Sequence, residues 1–293
     1  MKLLSTAMSL LGVLSQPILA QFTFTSTVEH NGITVPQSET DLKPFEPGTL
    51  GRIRSRTDDD SGHRIGTTTL RRVKRTNPTA NSNNWCGSVQ TTTSINQIKL
   101  IHGTFQHPTC TQRPGVTQYP QAAAAWIGID GDSWTSALLQ AGTVCKINNS
   151  TGIVDYANRN EVWWQWVPNG AYTITNIPVF AGDWFDITIN TTSSTAANIK
   201  IMSSRGYTYT VNAWQGAALA RVNADWVVER PYYGNTLAGF AQFTQVWFQN
   251  AYATLTSGTS SSLGITGAKQ YQIPGGCASA EYDDSRLYAA VVS

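Results

Sequence analysis

Along most of the chain after residue 84, apolar and polar residues alternate with a period of two. Gly182-Asp183-Trp184-Phe185-Asp186-Ile187-Thr188-Ile189 is the clearest run, and such alternation predicts a strand with one buried face. Ala197–Met202 and Tyr207–Trp214 flank Ser203-Ser204-Arg205-Gly206, which reads as a hairpin. Asn84–Val89, Gln97–Phe105, Phe240–Ala251, Gln270–Ile273 and Leu287–Val292 read as further strands. No stretch carries a clean helical period. The pattern predicts an all-β body, built as a sandwich or a barrel.

Three stretches depart from simple alternation. Ala122–Gln140, AAAAWIGIDGDSWTSALLQ, predicts two strands joined by a tight turn at Asp130-Gly131, a pair that tolerates positive φ. Trp126, Gly128 and Asp130 fall on one face, and Ile127 and Ile129 on the other. Gln140 is expected to close the second strand, where a buried amide needs partners. Asn160–Pro168 places Trp163, Trp164 and Trp166 on both faces of one strand, so one face packs a core and the other lines a groove. Ala224–Pro231 puts Trp226 and Val228 on one face and Asp225, Val227 and Glu229 on the other. Glu229 ends that strand just before Pro231 stops pairing.

The first 75 residues differ from the rest. Met1-Lys2, the apolar run Leu3–Leu14 and a small residue at Ala20 read as a signal peptide over 1–20, too short to span a membrane. Residues 21–75 read as a propeptide ending in the basic pair Lys74-Arg75, with little independent core expected. Ten of the 20 Lys and Arg lie before residue 76, leaving ten against 11 Asp and Glu afterwards. The net +2 therefore belongs to the leader and gives no reason to expect a nucleic-acid partner. Residues 76–293 form the expected domain. In a secreted chain Cys86, Cys110, Cys145 and Cys277 predict one or two disulfides, with three full pairings open, and their spacing matches no zinc site. Asn148-Asn149-Ser150, Asn149-Ser150-Thr151 and Asn190-Thr191-Thr192 are glycosylation sequons. His102 and His107 read as structural.

Asn84-Trp85-Cys86-Gly87, Trp126–Asp132 with Leu139-Gln140-Ala141-Gly142, Trp163–Pro168 and Ala224–Pro231 occur in an order that resembles the glutamic peptidases, or eqolisins. The resemblance implies a sandwich of two antiparallel sheets, similar to lectin and glucanase folds (concanavalin- or jelly-roll-like), with a groove across one sheet. It also implies a catalytic Gln–Glu dyad, Gln140 and Glu229, supported by Trp126 and Asp130. The family often has Asp where this chain has Glu161, an acid at Gln165, Tyr at Val167 and Glu at Asp225. Glu161 and Gln165 are the substrate-side positions these departures touch.

The expected function is a secreted, monomeric acid endopeptidase acting on proteins or peptides, without cofactor, metal, nucleic acid or membrane partner. Glu229 would deprotonate a water and Gln140 would donate to the oxyanion. A Glu with no basic partner works near the ordinary carboxyl range, ~4.3. Two other readings fit parts of the sequence. A sugar-binding or sugar-cleaving sandwich fits the Trp-rich groove, with Asp130 the one candidate for a second carboxylate facing Glu229. A catalytically inactive relative fits the departures near Gln165.

Overall fold

The computed structural model describes residues 22–36, 42–44, 56–57, 77–148, 160–256 and 262–292. The signal peptide, the acidic run Asp58–Asp60, the Lys74-Arg75 pair and most of the sequons at 148–151 lie outside them.

Two large sheets hold nearly all the strands. The first has ten strands. Its hydrogen-bonded order is β2 (Ile33–Val35), β1 (Thr23–His30), β15 (Tyr207–Trp214), β14 (Ala196–Ser203), β13 (Trp184–Thr191), β7 (Ile98–Gln106), β21 (Val246–Leu255), β25 (Arg286–Val291) and β24 (Cys277–Asp283), with β22 (Ser262–Leu263) on β21. The second has eleven strands. Its order is β3 (Leu42–Pro44), β12 (Ala171–Ile174), β11 (Asn160–Val167), β10 (Leu138–Ile147), β9 (Gln121–Ile129), β16 (Asn223–Glu229), β6 (Trp85–Thr91), β23 (Lys269–Gln272), β5 (Thr79–Ser82) and β4 (Arg56–Thr57). β19 (Gly239–Phe240) lies parallel to β9. Two small ribbons, β17 (Tyr232–Tyr233) with β18 (Thr236–Leu237) and β8 (Cys110–Thr111) with β20 (Gln242–Phe243), complete the body. Among the described residues no helix is long and apolar enough to cross a membrane.

The sheets pack face to face. Phe185, Ile187, Ile189, Ile199, Ile201, Tyr209, Val211 and Phe248 of the first meet Ile127, Ile129, Trp164, Trp166, Trp226 and Val228 of the second in one apolar cluster. Strands of the first sheet are buried on one face only, hence their clean alternation. In the second sheet β9, β10 and β16 are buried throughout. A separate cluster of Trp85, Trp126, Leu138, Trp163, Val227 and Tyr271 covers the face turned away from the first sheet. The strand Ala224–Glu229 therefore divides its side chains as the alternation predicts.

Two expectations change. The turn at Asp130-Gly131 is not a tight hairpin. Both residues have positive φ, 70° and 105°, but Asp130–Ala137 form a longer connection. Gln140 does not close β10; it is the third residue of a ten-residue strand. β1 and β2 extend the first sheet, while β3 and β4 stand at opposite edges of the second.

The disulfides are Cys86–Cys277, which ties the second sheet to the first, and Cys110–Cys145. Arg113 donates to the carbonyls of Gly275, Gly276 and Val292, holding the end of the chain against the β8 ribbon.

Candidate active site

Strand register lays out the outer face of the second sheet in rows. Gln165, Gln140, Gly128 and Asp225 form one row. Trp163, Gly142, Trp126 and Val227 form the next. Glu161, Val144, Ala124, Glu229 and Trp85 form the third. Gln140 and Glu229 thus share a face on strands flanking β9, two rows apart.

The indole of Trp126 lies between those rows. Its Nε1 donates to Glu229 Oε2 at 3.0 Å. At its other end, a Cβ added to Gly128 would come within 2.9 Å of Cζ3, and one added to Gly142 within 2.5 Å of the Trp126 Cβ. Gly128 therefore leaves room for the far edge of this ring, and Gly142 for the close approach of the Ala125–Trp126 backbone. The ring of Trp85 meets that of Trp126 edge-on at 5.0 Å. Asn84 Nδ2 donates to Glu229 Oε1 at 3.2 Å, and its backbone carbonyl accepts from the Arg230 amide at 2.8 Å. Ser82 Oγ in turn donates to Asn84 Oδ1. Glu229 is fully buried, and each of its oxygens accepts a hydrogen bond from a fixed side chain.

Gln140 is also fully buried. Its Nε2 donates to Gln165 Oε1 at 3.0 Å, and Gln165 Nε2 passes the chain of bonds to the carbonyl of Asn169. Among the described residues Gln140 Oε1 has no hydrogen-bond partner. One amide hydrogen and the carbonyl oxygen of Gln140 are thus uncommitted. Among the described residues its side chain bonds Gln165 and does not touch Glu229.

The other named residues do different work. Asp130 accepts from the backbone amides of Arg221, Val222 and Asn223 at 2.8, 2.8 and 3.3 Å, so it anchors the entry to β16. Burial raises its carboxyl above the usual range against the pull of those bonds. Glu161 pairs with Lys146 and accepts from Thr173 Oγ1 at 2.9 Å; among the described residues no hydrogen bond joins it to Gln140 or Glu229. His102 bonds Asp186 at 3.1 Å on the outer face of the first sheet, and His107 is buried beside Thr143. Among the described residues no group of three or more His, Cys, Asp or Glu side chains is placed to hold a metal.

Two residues gain their meaning only from the structure. Asn84 opens the first motif block yet has no role until Glu229 is placed beside it; its signal is a polar residue directly before an apolar strand. Asp225 is fully buried, and among the described residues neither of its carboxylate oxygens is bonded. Burial, with Asp132 and Asp130 close by, pushes it well above the usual carboxylate range.

Residues 83–286 match the model of the peptidase A4 family. The chain belongs to the peptidase A4 family. Aspergillopepsin-2 of Aspergillus niger is 32% identical over 136 residues, 45% of this chain and 46% of that protein, so the match spans just under half of this curated relative. A crystal structure of scytalido-glutamic peptidase with a transition state analog inhibitor superposes with a TM-score of 0.59 at 20% identity, over 72% of this chain and 98% of that one. The crystal structure of aspergilloglutamic peptidase from Aspergillus niger gives 0.51 at 27% identity, over 59% and 99%. The fold is the two-sheet sandwich of those structures. The A4 match takes in every side chain of the site from Asn84 to Glu229 and leaves β1–β5 outside it.

Proposed function

We propose that this chain is a glutamic endopeptidase that cleaves proteins or peptides with Glu229 as base and Gln140 as oxyanion donor. The observation that carries the reading is the state of the two side chains on one face. Glu229 is held by Trp126 and Asn84, while Gln140 is held by Gln165 with one N–H and its carbonyl left over. A carboxylate fixed this way can take a proton from a water whose hydroxyl adds to the scissile carbonyl. The second N–H of Gln140 stabilises the tetrahedral oxyanion. The proton then passes from Glu229 to the amine nitrogen as the C–N bond breaks, leaving a free acid and a free amine. Acid–base help is worth on the order of 10²–10⁴-fold, and one oxyanion donor about 10²–10³-fold. Trp126, Asn84 and Gln165 are positioning residues in this scheme, and no cofactor enters it.

A carboxylate serving as the base works best near the ordinary carboxyl range of ~4.3, which supports activity in the acid range. Residues 1–20 fit a signal peptide, 21–75 a propeptide removed at Lys74-Arg75, and 76–293 the peptidase domain. Two disulfides fit an oxidising, extracellular setting, and the working form is a monomer. A glycosidase is less well supported, because Asp130 already receives three backbone amides and does not face Glu229 as a second carboxylate.

The test is cleavage of a denatured protein from pH 2 to 7 by the processed chain, by Glu229→Gln and by Gln140→Ala. Both variants should fold and lose at least ~10²-fold in kcat. Full activity in either overturns the assignment.

A further inference from the structure

β1 is built into the body. It pairs with β15 through all eight of its residues, from Thr23↔Trp214 to His30↔Tyr207. Asn31 and Gly32, with φ of 52° and 79°, make a turn that is positive at both central positions and returns the chain as β2. Even-numbered residues face inward. Val28 is fully buried in the inter-sheet cluster, and Phe22, Phe24, Val35 and Leu42 pack on it. The Phe24 ring meets Trp164 edge-on at 5.0 Å and Tyr172 at 4.9 Å, while Phe22 lies 6.1 Å from Trp166. β3 then pairs with β12, so one short stretch of chain borders both sheets on the same side of the sandwich.

These contacts lie outside the region shared with the A4 family, and their partners lie in the body. None depends on the covalent link that follows residue 44. Without β1, Tyr207–Trp214 would become a sheet edge with a row of unpaired amides and carbonyls. Trp164 and Tyr172 would also lose the rings packed on them.

We propose that Phe22–Pro44 remains on the body as a non-covalent strand subunit after the leader is cut, docked on the β15 edge and the Trp164–Tyr172 aromatic face. The proposal rests on reading residues 21–75 as a processed leader. On this view the leader has two fates: its β1–β3 part becomes a permanent piece of the sandwich, and only the part beyond it is discarded.

The test uses the full chain carrying Glu229→Gln, so that its own peptidase activity plays no part. Limited digestion with an endoprotease specific for Lys and Arg cuts the leader, and Lys43, followed by Pro44, resists it. The product is then separated by size under native conditions and weighed by intact-mass spectrometry. The expected result is a fragment containing Phe22–Pro44 that co-elutes one-to-one with the body and leaves only in denaturant. Val28→Asp should cut the retained fraction at least tenfold. Phe24→Ala, at a half-exposed site, should lower it several-fold even if Val28→Asp fails to fold. A body that elutes without the fragment and melts unchanged overturns the proposal, as does one that sheds it and pairs with a second copy. Peptide cleavage by the cut wild-type chain is scored separately, so failure of the peptidase reading is not mistaken for failure of this one.

Discussion

His107 makes the folded state sensitive to the acid in which the proposed reaction would run. It is 1% exposed, and its Nδ1 bonds Thr143 Oγ1 at 2.7 Å. Burial lowers its pKa from 6.5 to about 4, only partly opposed by Asn160 and Asp183. Between those values the unfolded chain binds a proton that the folded chain refuses. The neutral ring therefore contributes stability that is complete above pH 6.5 and lost as pH falls toward 4. At ~1.4 kcal/mol per pH unit the window is worth ~3 kcal/mol. For a domain of this size that corresponds to ~6–12 °C in Tm. His107→Gln keeps an amide able to reach Thr143 and does not titrate. In a Glu229→Gln background, which prevents self-digestion, denaturant unfolding of both proteins is followed at pH 7 and pH 3.5. Titration of other groups largely cancels in the comparison. The parent should lose ~3 kcal/mol more than the His107→Gln variant on acidification. Equal losses would refute the argument and place His107 in contact with water or a charge.

Asp225 acts in the opposite direction: with its carboxyl raised, the stability it contributes is present below pH 3.8 and lost as pH rises. Asp225→Asn should therefore gain on the order of 1–3 kcal/mol at pH 7 and little at pH 3, read from urea midpoints. Trp126→Phe removes the donor to Glu229 and should lower kcat at least ~10-fold with KM little changed, in steady-state peptide cleavage. The Cys86–Cys277 bridge closes 191 residues and Cys110–Cys145 closes 35. Replacing each pair by serines and measuring unfolding should show the first loss to be larger by ~1.5 kcal/mol.

How much the sequence tells depends on how many faces of a strand are buried. β13, β14 and β15 show their faces at once, since Asp186, Lys200 and Thr210 alternate with isoleucines, tyrosine and valine. β16 is apolar on both faces, yet Asp225 and Glu229 still mark the face it shares with Gln140. The β9–β10 connection misleads because positive φ at Asp130 and Gly131 is a local property. The length of the connection is set by Asp130 reaching amides about ninety residues away. β1 is legible in retrospect: Phe22, Phe24, Ser26, Val28 and His30 alternate cleanly with Thr23, Thr25, Thr27 and Glu29. The charge and proline content of the leader hide it, and its partner strand lies far along the chain. Asn84 cannot be assigned from sequence at all, for its meaning comes from β16 pairing beside β6. Nor can the disulfide pairing, which follows from how the sheets stack.

The nine residues of β9 and the ten of β10 are buried without exception. For anyone redesigning cleavage preference, these strands offer no solvent-facing position at which a substitution is free. A change on one side of the sheet disturbs the packing against the first sheet, and a change on the other disturbs the Trp126 platform. Variant libraries belong instead in the exposed parts of the connections, Ser133–Ser136 and Gly234–Thr236, where side chains can be exchanged without repacking two layers at once.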